Sequence, residues 1–234
     1  VSYFWRALRN GEVMATSNEI GLSFVPLRSG LYTFEFTATD EDGSQDTDTT
    51  IFIISNVAPM NVTAGPDFLT EEGTEISLSS PGIFDPSPFD TVSLTWHVVA
   101  TNGQSIADGH DADFRFAPVD DGTYTVTLTA IDNDGGVTID SAVITVANAA
   151  PRNISAGGPY EMNEGSSLTL SGSAIDPAGV NDTLTYAWDL DGDLDFNDAF
   201  GASPTLSWAQ LAEFHVDDGP ALHALRMRVS DAEG

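Results

Sequence analysis

The chain has 234 residues, and 36 Asp and Glu residues stand against 7 basic residues, all arginines, for a formal net charge of −29. This balance excludes nucleic acid as a partner, because binding the phosphate backbone requires a basic surface. The absence of cysteine excludes disulfides, thiolate nucleophiles and cysteine-ligated zinc. The hydrophobic fraction of 41% suffices for packed cores. No apolar run reaches the roughly 18 residues of a transmembrane helix, so no membrane span is predicted.

An internal repeat divides the chain. Residues 32–43 recur in similar form as residues 124–135, and the Asn-x-Ala-Pro sequence of residues 56–59 recurs at 148–151, both at an offset of 92. Matches at one shared offset predict three copies of a unit of about 92 residues. We call them the first repeat (1–58), which lacks its opening strands, the complete middle repeat (59–150), and the third repeat (151–234), which lacks its last strand.

Every repeat shows the two-residue alternation of β-strands. Leu94, Trp96 and Val98 alternate with polar neighbours, and Asp-Gly turns separate such runs. About seven short strands in about 92 residues match the size of an immunoglobulin-like β-sandwich. A tryptophan early in each repeat is predicted to anchor its core, at Trp5, Trp96 and Trp188. The predicted fold class is therefore all-β, with tandem immunoglobulin-like β-sandwiches.

Short motifs recur in one order in the middle and third repeats. In the middle repeat they are Gly65-Pro66-Asp67, Glu72-Gly73, Asp85-Pro86, Leu94-Thr95-Trp96, the tyrosine-corner sequence 120–124 and Asp132-Asn133-Asp134-Gly135. In the third repeat they are Gly158-Pro159-Tyr160, Asn163-Glu164-Gly165-Ser166, Asp176-Pro177 and Leu184-Thr185-Tyr186-Ala187-Trp188-Asp189. This ordered set resembles the tandem PKD (polycystic-kidney-disease) repeats of bacterial-type secreted or surface proteins. The resemblance implies PKD-type β-sandwiches without catalytic activity, in a stalk, an adhesive part or an accessory module beside a secreted hydrolase.

The third repeat departs from this pattern after its tryptophan. It inserts residues 191–199, and residues 207–214 predict a helical turn. Counting back from Asp231, the equivalent of Asp132, puts His223 where the corner tyrosine is expected. The tyrosine-corner hydrogen bond is therefore not expected in this repeat.

The strongest chemical signal is a run of acids after Trp188. Carboxylates at alternate positions around a turn glycine are typical of loops that bind hard cations, and Ca²⁺ takes six to eight oxygen ligands. The run differs from an EF-hand loop, because its glycine stands fourth rather than sixth and no glutamate stands at position twelve. We predict a calcium site here, with a solvated acidic turn as the alternative. The candidate ligands are Asp189, Asp191, Asp193, Asp195 and Asp198.

A second set of candidate calcium ligands lies where consecutive repeats are expected to meet. In this sandwich the B–C and F–G loops and the incoming linker share the end that faces the previous repeat. A cation there would fix the angle between repeats, whereas the alternative is an ordinary hairpin turn. The candidates in the middle repeat are Asp85, Asp90, Asp132 and Asp134, beside Asn56 of the linker. Those in the third repeat are Asp176 and Asp182, with Asn148, Asp231 and Glu233 as further equivalents.

Catalysis is not expected. The sequence contains no Gly-x-Ser-x-Gly, His-Glu-x-x-His, Gly-x-Gly-x-x-Gly or Walker motif, and its acids cluster in hairpin turns rather than in one cleft. We predict a non-catalytic extracellular or cell-surface segment, such as a calcium-stiffened stalk or a surface-filament building block. Its expected partners are neighbouring repeats of the same chain or like subunits. A slice of a longer array is favoured over strand exchange between subunits.

The alternative function is an accessory module of a secreted hydrolase that binds polysaccharide or a cell-surface protein. Trp208, Phe196 and Phe200 lie in or near the irregular part of the third repeat, where exposed rings would stack on sugars. We favour the simpler interpretation that Trp208, Leu211 and Phe214 close one end of the core.

Overall fold

The computed structural model describes residues 1–231, and strands provide almost all of its regular structure. The first repeat contains β1 (Ser2–Arg9), β2 (Glu12–Ser17), β3 (Gly30–Thr39) and β4 (Gln45–Ile54). The middle repeat contains β5 (Phe68–Glu71), β6 (Ile76–Ser79), β7 (Val92–Ala100), β8 (Asp113–Phe116), β9 (Gly122–Asp132) and β10 (Val137–Ala147). The third repeat contains β11 (Arg152–Ser155), β12 (Leu168–Thr169), β13 (Ser173–Ile175), β14 (Thr185–Asp189), β15 (Ala199–Phe200), β16 (Thr205–Leu206), α1 (Trp208–Glu213) and β17 (Arg226–Ser230). The boundaries of the three repeats stay a prediction.

The middle repeat is a two-layer sandwich. One sheet has the order β5-β10-β9-β7, in which β5 runs parallel to β10 and the other pairs are antiparallel. The second sheet pairs β6 with β8. Trp96 of β7 is fully buried between the layers, and its ring stacks on Phe114 of β8 with centroids 5.7 Å apart. The prediction of an all-β, immunoglobulin-like fold is confirmed.

A tyrosine corner fixes the turn before a long strand in two repeats. The Tyr124 hydroxyl donates to the Asp120 carbonyl at 2.9 Å, and the Tyr32 hydroxyl donates to the Arg28 carbonyl at 3.0 Å. Both rings are buried, and a buried hydroxyl needs a partner. The corner makes Arg28 of the first repeat and Asp120 of the middle repeat structurally equivalent.

The first repeat is a single sheet in the order β2-β1-β3-β4. Trp5 of β1 packs on Phe36 with ring centroids 4.6 Å apart, and its Nε1 donates to the Ile20 carbonyl at 3.3 Å. Its side chain is only half-buried, so the prediction that Trp5 anchors a core as Trp96 does is wrong. The physical reason is that no second layer of strands covers this sheet within the residues described.

The third repeat is built from shorter strands, in sheets of order β15-β14-β17, β12-β16 and β11-β13. Trp188 is fully buried, as predicted, and its Nε1 donates to the Gly201 carbonyl at 2.9 Å. The predicted helical turn is present as α1, which Ser207 caps, and Leu211 packs into the core beside Phe214. No helix between residues 1 and 231 is long and apolar enough to cross a membrane.

Candidate metal centres and repeat junctions

The acidic loop of the third repeat folds around Asp189. This carboxylate is buried, and it accepts hydrogen bonds from the Gly192 N–H at 2.6 Å and the Leu194 N–H at 3.3 Å. Arg226 Nη1 donates to it at 3.1 Å. Burial raises the pKa of Asp189, but the three donors outweigh burial and bring the pKa below its ordinary value. The chain itself therefore supplies this carboxylate with donors and with one positive charge.

The structure gathers three of the five predicted ligands of this loop. One oxygen each from Asp189, Asp191 and Asp198 lies within 4.8 Å of the other two. Asp193 accepts from the Asp195 N–H at 2.7 Å, and Asp195 accepts from a side-chain amide at 2.9 Å, so both stabilise exposed turns. Ca²⁺ would need further oxygens from water or the backbone. Calcium binding in this loop stays a prediction.

The first junction is where the first repeat meets the middle repeat. Here two of the predicted calcium ligands, Asp132 and Asp134, accept hydrogen bonds from other groups of the protein. Asp132 accepts from the N–H groups of Asp134 and Gly136 at 2.9 and 2.8 Å. Its other oxygen accepts from Asn56 Nδ2 of the linker at 2.8 Å. The Asp134 carboxylate accepts from Ser29 Oγ at 2.6 Å. These two carboxylates therefore hold the linker and the first repeat against the turn between β9 and β10.

Asp85 and Asp90, the other two candidates here, each have a buried Oδ2 without a hydrogen-bond partner. The Arg28 guanidinium lies 3.8 Å from the ring centroid of Phe89 and brings a positive charge to this junction. Within the described part of the chain, no three acids of this junction place oxygens within 4.8 Å of one another. Hydrogen bonds and a cation–π contact therefore hold the first junction, and metal binding by its acids stays a prediction.

Acidification is expected to weaken the first junction through Asp132. Burial raises the pKa of Asp132, but hydrogen bonds from Asn56, Gly136 and Asp134 outweigh burial and hold the pKa below its ordinary value. A carboxylate with a lowered folded pKa stabilises the folded state above its unfolded pKa of about 4. That contribution is lost as the pH falls through the folded pKa.

We expect Asp132→Asn to lower the melting temperature near neutral pH and to matter progressively less below about pH 4, where the carboxyl of the unfolded wild type binds a proton before that of the folded wild type does. Scanning calorimetry across this pH range measures the difference. Asp113→Asn, on an exposed position of β8, is the charge-matched control. A difference between wild type and Asp132→Asn that does not change with pH would contradict the prediction.

The second junction lies between the middle and third repeats. It contains Glu72, a buried acid that the sequence analysis did not identify as a candidate metal ligand. Glu72 is fully buried, its Oε1 accepts from the Ala149 N–H at 3.1 Å, and its Oε2 has no hydrogen-bond partner. Burial raises the pKa of Glu72 to about 7, an effect that the Ala149 N–H opposes and three nearby carboxylates reinforce. These carboxylates belong to Asp182, Asp176 and Asp120.

Two overlapping groups of acids meet at this junction. The predicted ligands Asp176 and Asp182 form one group with Asp231. Asp182 also forms a group with Glu72 and Asp120. Within each group, one oxygen of each residue lies within 4.8 Å of the others. Four of the five side chains are buried, and that of Asp120 is half-buried.

Two members of these groups have no basic partner. Among residues 1–231, no arginine or histidine lies within 4.0 Å of the carboxylate of Glu72 or Asp176. The side-chain oxygen of Asn148 is also buried without a hydrogen-bond partner. Carboxylate and amide oxygens are the donors that Ca²⁺ prefers, so the residues present fit the predicted cation. Glu233, the remaining predicted equivalent, lies outside the described residues.

Of the three aromatic residues considered for sugar binding, Phe200 is exposed, whereas Phe196 and Trp208 are partly covered by the protein. Arg228 lies over the Phe196 ring at 4.8 Å, Trp208 is half-buried, and Phe200 is exposed. An open groove of about 850 Å³ passes Trp208 and Tyr160 on one side of the third repeat. Sugar binding in this region stays a prediction.

Comparisons with known proteins support the PKD resemblance in part of the chain. The family model described as K319L-like, PKD domain, matches residues 1–54. Two curated relatives are similar over the whole chain, namely the Dyslexia-associated protein KIAA0319 homologs of Rattus norvegicus, 28% identical, and Mus musculus, 29% identical. The chain spans 22% of the length of each relative. Both relatives are mammalian, so the bacterial-type assignment stays a prediction.

Two solved structures with low structural similarity to this chain are a PKD domain and an insect immune protein. The alignment with the solution structure of the PKD domain of human KIAA0319 covers 41% of this chain and 86% of the solved chain, at 21% identity and a TM-score of 0.31. The alignment with the insect immune protein hemolin covers 99% of this chain and 64% of the hemolin chain, at 12% identity and a TM-score of 0.38. The chain is thus an all-β protein with a PKD-domain match in its first 54 residues and similarity to KIAA0319 homologs along its whole length.

Proposed function

We propose that this chain is a non-catalytic, extracellular structural or adhesive segment in which calcium fixes the angle between immunoglobulin-like repeats. The observation that carries the proposal is the acidic group at the second junction, where Asp176, Asp182 and Asp231 are at most 7% exposed. Burying carboxylates of like charge costs free energy unless protons or a cation compensate. A bound Ca²⁺ compensates for this charge and stiffens the boundary between the repeats.

Two further observations support the extracellular setting. The family model that matches residues 1–54 describes a PKD domain. The PKD resemblance implies a secreted or surface protein. A net charge of −29 makes the surface repel itself, and this repulsion falls at high ionic strength or when calcium binds. The partners of such a segment are neighbouring repeats or like subunits.

Calcium at about 5 mM is expected to raise the melting temperature by several degrees over that in chelator, because a ligand that binds only the folded state stabilises it. Scanning calorimetry at constant, high ionic strength measures this shift. Magnesium is the control for general screening, since it demands a smaller, near-octahedral site. An unchanged melting temperature, or an equal rise with magnesium, would overturn the proposal.

A second candidate function is an accessory module that binds polysaccharide or a surface protein beside a secreted hydrolase. The observation in its favour is the groove of about 850 Å³ at Trp208 and Tyr160, which the acids Glu161 and Asp217 also line. Glycan-array binding that Trp208→Ala removes and Phe200→Ala retains would support this function. A wild-type chain that binds no glycan would reject its polysaccharide form.

A further inference from the structure

The middle and third repeats approach each other closely at the second junction. Asn181 Nδ2 of the third repeat donates to the Val119 carbonyl of the middle repeat at 2.8 Å. A Cβ placed on Gly73 would lie 3.1 Å from the Cβ of Pro177. The acids that each repeat brings to this end therefore share one boundary rather than two separate surfaces.

Glu72 is held at this boundary by the end of its own repeat. Its N–H donates to the Ala147 carbonyl at 3.1 Å, and its Oε1 accepts from the Ala149 N–H. These bonds orient a fully buried side chain whose Oε2 has no hydrogen bond. An oriented, buried carboxylate with one unsatisfied oxygen is costly by itself and well suited to a positive ligand.

Asp176, on the third-repeat side of the boundary, also has a buried oxygen without a hydrogen bond. Its Oδ1 accepts from the Ala178 N–H at 2.9 Å, and its Oδ2 is buried without a hydrogen-bond partner. Asp182 belongs to the acidic group of Asp176 and also to that of Glu72. Because a carboxylate has two oxygens and about four lone-pair sites, Asp182 is able to serve both groups.

We infer that the second junction holds two divalent cations that share one carboxylate. One cation lies on Asp176, Asp182 and Asp231, and the other lies on Glu72, Asp120 and Asp182. The second cation takes ligands from both repeats and so clamps them together. This inference rests on the proposed function, to which it adds the second cation and two ligands from the middle repeat. Calcium is the expected ion, because all five residues of the two groups provide carboxylate oxygens, which Ca²⁺ prefers as ligands.

The first junction provides a contrast within the same chain. Arg28 stands at the position equivalent to Asp120, since the carbonyl of each accepts the hydroxyl of a corner tyrosine. The guanidinium of Arg28 reaches the Phe89 ring of the next repeat. A positive charge of the chain therefore lies at the first junction, and the clamp is expected only at the second.

Glu72→Gln tests the clamp, because glutamine retains an oxygen for the Ala149 N–H and removes the charge. In chelator we expect the variant to melt at or above the wild-type temperature, since a buried charge is gone. In calcium we expect it to melt below wild type. Calorimetric titration with calcium is expected to show one fewer bound ion, or a step weakened about tenfold or more. A purely structural role for Glu72 would not reverse the sign of the melting difference.

Asp120→Asn is the second variant, in case Glu72→Gln fails to fold, and the same ion is expected to be lost. Asp113→Asn, an exposed position of the same repeat, is the charge-matched control and is expected to bind calcium as wild type does. A wild-type chain that binds no calcium would remove the proposed function and this inference together. Calcium binding of unchanged number and affinity in Glu72→Gln and Asp120→Asn would remove the clamp and leave the proposed function standing.

Discussion

Replacing Trp96 with alanine is expected to lower the free energy of unfolding of the middle repeat by about 3–5 kcal/mol. The indole is fully buried and stacks on Phe114, and its Nε1 donates to the Asp111 carbonyl at 2.9 Å. The substitution opens a cavity between the two sheets and removes the donor from that carbonyl. Both effects act in the same direction, because lost packing and a lost hydrogen bond each destabilise the folded state.

Denaturant unfolding in chelator, followed by circular dichroism, measures this loss without a contribution from metal binding. Trp5→Ala is the matched control, because the same side chain is truncated on a sheet that is covered by no second strand layer in the described residues. A clearly smaller loss is expected for Trp5→Ala. Equal losses in the two variants would contradict the difference in burial between the first and middle repeats.

Gly136→Ala is expected to cost about 1–3 kcal/mol and to detach the linker at the first junction. A Cβ on Gly136 would lie 2.7 Å from Asn56 Nδ2 and 2.8 Å from the Ala58 Cα, and it would also overlap the Asp132 carboxylate. Side chains can turn away from such a contact, but the backbone of Ala58 has to shift. The shift would break the hydrogen bond between Asn56 and Asp132.

Small-angle scattering and limited proteolysis at residues 56–59 detect detachment, and denaturant unfolding measures the loss of stability. Gly21→Ala is the control, since its added Cβ would meet no atom within 4 Å. We expect the control to scatter and to be cleaved as wild type does. Wild-type stability, scattering and cleavage in Gly136→Ala would contradict the close packing of linker and turn.

The two junctions use different chemistry for one task. The first joins its repeats through Ser29 with Asp134 and through Arg28 with Phe89. The second gathers buried acids, including Glu72, whose charge requires compensation. Removal of calcium is therefore expected to loosen the second junction while the first keeps its hydrogen bonds.

The strands and most of the buried cores follow from local sequence. Two-residue alternation places Trp96 and Trp188 on the inner face, where both are fully buried. The corner at Tyr124 and the helix that Ser207 caps were predictable for the same reason, since each depends on residues a few positions apart.

Only the tertiary structure decided what meets at the junctions. Alternation states which face a side chain takes, but not which distant segment covers that face. Trp5 has the right pattern and lacks a covering layer among the described residues, and Asp134 finds its donor in Ser29, which lies 105 residues away. Glu72 follows a strand as an ordinary surface acid would. It is buried because the chain folds its linker at Ala149 back over it and packs the next repeat against the same end.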